Sequence, residues 1–174
     1  MKKALIIVMA AFMTLGISQK AQAIEDPYPV GTVICGAHFG FLPGIGANVS
    51  GDFVIVDSWW KGHFTVGGYA GYNHRTYRDL EYVWSNFAIL PRATYGLNIT
   101  DFFEVHVGTM AGLGYRGFVY TNQENQLQKD HKFIFEVGGI AGCRFRLIDF
   151  LYADLELNAT RTMSYLNIGV SFVF

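Results

Sequence analysis

From Gly31 onward, apolar and polar side chains alternate with a period of two, the mark of strands whose two faces meet unlike surroundings. Along 103–118, Phe103, Val105, Val107, Thr109, Ala111, Leu113 and Tyr115 fall on one face, with Glu104, His106, Gly108, Met110, Gly112, Gly114 and Arg116 on the other. Residues 151–160 repeat the pattern, as do 133–147, where Glu136, Gly138, Gly142, Arg144 and Arg146 share the polar face. The alternation predicts eight strands, over 31–42, 46–57, 63–74, 86–98, 102–120, 132–147, 150–160 and 163–174.

The connections between these segments alternate in length. Residues 98–101 and 148–149 read as tight turns and 57–62 as a short connection, while 75–85 and 121–131 read as long polar loops. With an even strand count, the long loops fall on the side opposite both termini, although 43–46 and 161–162 on that side are also short. Short periplasmic turns and long external loops are the pattern of outer-membrane barrels. The expected fold is therefore all-β, a closed antiparallel eight-stranded transmembrane β-barrel of up-and-down meander topology. It would put 121–131 on the cell surface and 98–101 in the periplasm.

Alternation alone does not separate a membrane barrel from a soluble one such as a lipocalin. Glycine placement does. Gly36, Gly40, Gly67, Gly71, Gly96, Gly108, Gly112, Gly114, Gly138, Gly142 and Gly169 lie in the polar register, and only a few, such as Gly51, Gly68 and Gly139, in the apolar one. Glycine weakens a solvated strand face. Inside an eight-stranded barrel it makes room for long side chains in a lumen just wide enough to be filled by them. The polar face is thus expected inside and the apolar face against lipid. Two aromatic bands fit the two membrane interfaces: Trp59, Trp60, Phe102, Phe103, Phe150, Phe172 and Phe174 near the periplasmic ends, and Tyr72, Tyr77, Tyr82, Trp84, Phe118 and Tyr120 near the other rim.

Composition narrows the class further. The 174 residues fit one domain plus a targeting segment. Mean hydropathy is +0.24, yet beyond the N-terminus no apolar run reaches the ~18 residues a membrane helix needs, which excludes a multi-helix membrane protein. A net charge of −1 gives no basic surface for nucleic acid. Met1–Lys2–Lys3, the apolar stretch 4–17 and Ala21–Gln22–Ala23 form the three parts of a secretory signal, so 1–23 is expected to be removed and 24–174 to form the barrel domain. Loss of its three lysines leaves 10 basic against 14 acidic residues.

The last strand ends in Phe174, with apolar residues at every second position before it and Tyr165 and Phe172 in the positions of an assembly signal. With the signal peptide and the strand count, the mature chain resembles the small bacterial outer-membrane β-barrel proteins of the OmpA/OmpX type. The resemblance implies integral residence in the outer membrane of a Gram-negative cell. It also implies contact with lipopolysaccharide and phospholipid, and insertion by the outer-membrane assembly machinery. It says little of activity, because this fold hosts adhesins, enzymes and plain structural barrels.

The inward register collects Asp52, Glu104, Glu136, Asp154 and Glu156 against Arg92, Arg116, Arg144 and Arg146, with His106 among them. Five acids against four arginines point to a paired network that plugs the lumen, since each unpaired buried charge costs several kcal/mol. A narrow selective pore is the alternative reading of the same residues. The histidines (38, 63, 74, 106 and 131) raise an enzyme alternative, because lipid A deacylases and acyltransferases on barrels of this size use a His with a Ser and an acid. No His-x-Ser or Gly-x-Ser-x-Gly occurs, and the best remaining pairs are His74 with Asp79 and His63 with Ser58. No metal-ligand spacing appears, so no metal and no cofactor are expected. Cys35 and Cys143 fall outward on strands that are not neighbours, which rules out a bridge. The triplets Asn48–Val49–Ser50, Asn98–Ile99–Thr100 and Asn158–Ala159–Thr160 match glycosylation sequons but lie in or beside strands, poor acceptor positions. The reading that joins these features is a non-enzymatic barrel, structural or surface-binding through its external loops in the manner of an adhesin or receptor.

Overall fold

Where the period of two runs unbroken, strands form and pair all the way round. The computed structural model describes residues 28–60, 62–77, 82–121 and 127–174; the signal segment 1–23 lies outside them. Its strands are β1 (Val33–Phe41), β2 (Ile45–Trp59), β3 (Gly62–Tyr77), β4 (Tyr82–Thr100), β5 (Phe103–Thr121), β6 (Leu127–Ile148), β7 (Leu151–Ala159) and β8 (Leu166–Val173). Each pairs antiparallel with the next and β8 returns to β1, closing an up-and-down barrel. Closure satisfies the backbone without leaving the shared wall an open edge. Phe174 completes the seam: its N–H donates to Val33 O at 2.9 Å and its carbonyl accepts from Val33 N–H at 3.0 Å.

The alternation maps onto inside and outside. In β1, exposed and buried residues alternate at every position. The outward face carries Phe39, Val49, Phe53, Val107, Leu113, Phe135 and Val137, all exposed, while Asp52, Arg92, Glu104, Arg144, Asp154 and Glu156 are buried. This inverts the usual placement of charged and apolar side chains. Glycines follow the same division. A Cβ added at Gly51 or Gly68 would meet nothing, whereas one at Gly67 would collide with Asp52 and one at Gly142 with His106.

Three expected boundaries move. Residues 75–85 are not a free loop: β3 and β4 stay paired through His74↔Ser85 to Tyr77↔Tyr82. Likewise much of 121–131 is strand, with β5 and β6 paired up to Thr121↔Leu127; residues 78–81 and 122–126 lie outside the described residues. Above the shorter strands the alternation of buried and exposed residues fades while backbone pairing continues. β7 reaches β6 only up to Ala159↔Gly139, and β3–β6 therefore stand taller than the rest of the rim. Finally, residues 163–165 do not begin the last strand. The connection from Thr160 to Tyr165 folds inward, burying Thr162, Met163 and Ser164.

Candidate functional site

The lumen is filled in layers. At the end holding the short turns and Phe174, Tyr28 folds back from the segment preceding β1 and is 1% exposed. Its ring stands edge-on to His63, with centroids 4.6 Å apart, and packs with Ile34, Val54 and Tyr152. Burial pushes the Tyr28 phenol well above its ordinary pKa, and the Glu104 carboxylate pushes it the same way.

Above this apolar stopper lies the charge network. Arg92 donates from Nε to Asp52 Oδ1 at 2.7 Å, grips Oδ2 with a second prong, and donates from its remaining arm to Glu156 Oε1 at 3.0 Å. Arg144 joins Glu104 Oε1 at 2.9 Å to Asp154 Oδ2 at 3.2 Å. His106 sits between two carboxylates, 3.6 Å from Glu104 and 3.5 Å from Glu156. His38 Nδ1 donates to Asn48 Oδ1 at 3.0 Å, and its Nε2 lies 3.3 Å from Asp154 Oδ2. Charge-assisted bonds of this kind are the strong ones. They offset the several kcal/mol that each buried ion costs only while every partner stays in place.

A second apolar layer follows, made by Tyr69, Ala88, Leu90, Met110, Ile140 and Met163. Over it the inward turn between β7 and β8 forms a cap. Glu136 accepts from the Arg161 N–H, from the Thr162 N–H at 2.9 Å and from Thr162 Oγ1 at 2.9 Å. Asn86 Nδ2 donates to Thr162 O at 3.1 Å and Asn73 Nδ2 to Ser164 Oγ at 2.7 Å.

Of the expected network, Asp52, Arg92, Glu104, His106, Arg144, Asp154 and Glu156 meet in one cluster. Glu136 is buried but belongs to the cap. Two arginines depart from expectation. Arg116 lies 5.3 Å from the Trp84 ring and 5.8 Å from Phe118, and among the described residues no carboxylate stands within ion-pair distance of it. Arg146 is 39% exposed and pairs with Asp149 at 3.6 Å. Both occupy inward-register positions near strand ends, where inward no longer means enclosed. Trp84 and Phe118 accordingly meet edge-to-face beside Arg116, with centroids 5.0 Å apart, instead of joining an outer aromatic band.

Sequence reasoning did not place Tyr28, His38, Asn48, Asn167, Ser171 or the buried turn 160–165 in the lumen. His38 was legible, since it alternates with Gly36 and Gly40 on the same face. The turn carried no such signal. Tyr165 is exposed and donates its N–H to Leu42 O at 2.5 Å, while Phe172 and Phe174 stack at 6.5 Å. The best described His–Ser pair is His74 Nδ1 with Ser85 Oγ at 3.1 Å, on the outside of the upper wall. Among the described residues no carboxylate lies within ion-pair distance of His74, and Asp79 is outside them. His63 is buried in the lumen, 3.8 Å from Glu104. Cys35 and Cys143 are free, on β1 and β6.

No protein-family model matches the chain, and no curated protein matches its sequence. Solved structures do. A de novo designed transmembrane β-barrel is similar at a TM-score of 0.54 and 11% identity, covering 87% of this chain and 100% of that one. Ail, the attachment invasion locus protein of Yersinia pestis, is similar at 0.53 and 12% identity, covering 82% and 97%. The backbone structure of Ail in a phospholipid bilayer nanodisc gives 0.50 at 12%, with 82% and 98% covered. The chain has the fold of the small transmembrane β-barrels.

Proposed function

We propose that residues 24–174, freed of an export signal at 1–23, form an integral protein of the bacterial outer membrane that is closed to solutes. It acts at the cell surface as a structural or ligand-binding element, adhesin- or receptor-like, and not as an enzyme. One observation carries this reading: charged side chains are packed into a lumen stoppered at both ends, and large apolar side chains cover the outside. Lipid would solvate that outer face, and a closed ladder is what a strand-built wall needs in lipid. With no open path through the middle, the accessible surface is the rim, dominated by the tall β3–β6 wall. Attachment is in the name of Ail, which shares the fold. A designed barrel shares it too, so on this chain the surface role rests on its own rim.

The terminal strand, with Tyr165, Phe172 and Phe174, would address the chain to the assembly machinery, and lipopolysaccharide and phospholipid would be its lipid partners. Fractionation of a Gram-negative host tests this. The full-length chain should appear in the outer membrane with heat-modifiable gel migration, and removal of Phe174 should leave material in the periplasm. Wild-type levels of inserted truncated protein would contradict the role of the last strand. Full-length protein in the soluble fraction would contradict membrane residence itself. The His74–Ser85 contact supplies the control for activity. Lipid A from cells with and without the protein should have the same mass spectrum. A change in acylation that Ser85→Ala abolishes would replace the surface-binding reading with an enzymatic one.

A further inference from the structure

We infer that the lumen is a binding site for one divalent metal ion of the zinc class, held by His38 from β1 and by Asp154 and Glu156 from β7. The inference needs the barrel fold but not the surface role proposed above. One ligand atom from each residue lies within 4.8 Å of the others, a spacing that small side-chain shifts convert to bonds of about 2 Å around a single ion. The three residues are 4%, 3% and 0% exposed.

Gly169 builds the site. It is the β8 register partner of His38 on one side and of Asp154 on the other, so the two side chains flank it in one row. A Cβ on Gly169 would strike His38, and so would one on Gly36. The glycines therefore let the imidazole lie flat against the wall and face the carboxylate across β8.

A chain of amides then fixes the imidazole tautomer. Asn167 Nδ2 donates to the Ser164 carbonyl at 3.3 Å, which turns Asn167 Oδ1 toward Asn48. Asn48 Nδ2 donates to that oxygen at 2.8 Å, and this turns Asn48 Oδ1 toward His38 Nδ1 at 3.0 Å. An oxygen there requires the proton on Nδ1. The neutral ring consequently presents a bare Nε2 lone pair to Asp154 Oδ2, 3.3 Å away, an oxygen that already accepts from Ser171 Oγ at 2.5 Å and Arg144 Nε at 3.2 Å; a metal ion or a proton between the two atoms relieves their contact. An imidazole whose second nitrogen is held by a hydrogen bond is the usual state of a metal-ligating histidine.

Charge points the same way. The buried cluster sets the carboxylates of Asp52, Glu104, Asp154 and Glu156 against two guanidiniums, leaving an excess of two negative charges with the histidines neutral. Asp154 Oδ1 and Glu156 Oε2, moreover, have no hydrogen-bond partner, though both are buried. A divalent ion would neutralise the excess and occupy those oxygens. The mixed imidazole and carboxylate donors suit zinc and its first-row neighbours. Because the lumen is stoppered, the ion would be taken up during folding.

The test is metal content and exchange in the folded protein. Wild-type chain extracted from membranes, and chain refolded in detergent with added Zn²⁺ or Co²⁺, should each carry about one ion per chain by elemental analysis. Release to EDTA should be slow until the barrel is unfolded, and the Co²⁺ form should show visible bands of low-coordinate nitrogen and oxygen ligation. His38→Gln and Glu156→Gln should lose the ion while keeping heat-modifiable migration. Folded wild type with no bound metal by either route would overturn the proposal and leave a proton on His38 Nε2 to bridge to Asp154. So would metal that EDTA strips at once from the folded barrel, or that both variants retain. If a variant fails to fold, the wild-type stoichiometry and exchange rate still decide.

Discussion

Arg92 on β4 donates to Glu156 on β7 at 3.0 Å while its other edge grips Asp52 on β2, so one guanidinium ties three strands together across the lumen. The contact is buried, and among the described residues no other guanidinium or ammonium is as close to either carboxylate. Removing the guanidinium strands both of them, whereas removing all three charges does not.

Arg92→Met should therefore lower stability in urea, measured in detergent micelles, by about 3–5 kcal/mol. Adding Asp52→Asn and Glu156→Gln to it should recover much of that loss. Purely additive losses in the triple variant would show that the ion pairs act independently.

Arg116→Ala should behave differently. The side chain lies over Trp84 and Phe118, and no carboxylate among the described residues pairs with it, so truncation should cost about 1 kcal/mol and shift the urea midpoint only slightly. A loss as large as that of Arg92→Met would mean that Arg116 neutralises a buried acid.

The raised pKa of Tyr28 gives a pH dependence with a definite sign. Its folded value lies above the unfolded value of about 10, so its contribution to stability is complete below that pH and is lost as pH rises past it. Unfolding midpoints followed upward from pH 9 should fall, and the fall should be shallower in Tyr28→Phe. An unchanged slope in that variant would place the Tyr28 ring in water rather than in the stopper.

Orientation can be read by labelling in a Cys35→Ala, Cys143→Ala background. Lys129→Cys, exposed on the tall wall, should react with an impermeant maleimide on intact cells, and Asp101→Cys, exposed in the opposite turn, should not. Protease added outside should likewise cut only within 75–85 or 121–131. Labelling at 101 in intact cells would invert the topology.

Much of this architecture was legible in the chain because its periodicity reports a difference between two environments. Leu151 to Thr160 alternates since Asp154 and Glu156 face an enclosed network and Leu155 faces outward. Where the environments become alike the signal ends, although the strand does not, and so the paired residues Arg75 to Tyr77 and Leu127 to His131 read as loops. The register also named the inward arginines without separating Arg92 and Arg144, which sit mid-lumen, from Arg116 and Arg146 near its ends. Depth along the barrel is set by strand tilt and by what caps it, and neither is encoded locally. The Glu136 cap illustrates this, since its partners Arg161 and Thr162 come from a turn whose inward fold depends on Asn73 and Asn86 on other strands.

Single-channel recording in planar bilayers tests the closed lumen most directly. A layer holding Tyr28 and Tyr152, a cross-linked layer of charges, and a cap on Glu136 lie one above another across the lumen, and a lumen filled in this way is expected not to conduct. Purified wild-type protein should insert without sustained current steps. Discrete, long-lived openings of nanosiemens size from the wild-type barrel would contradict the closed lumen and make the protein a pore.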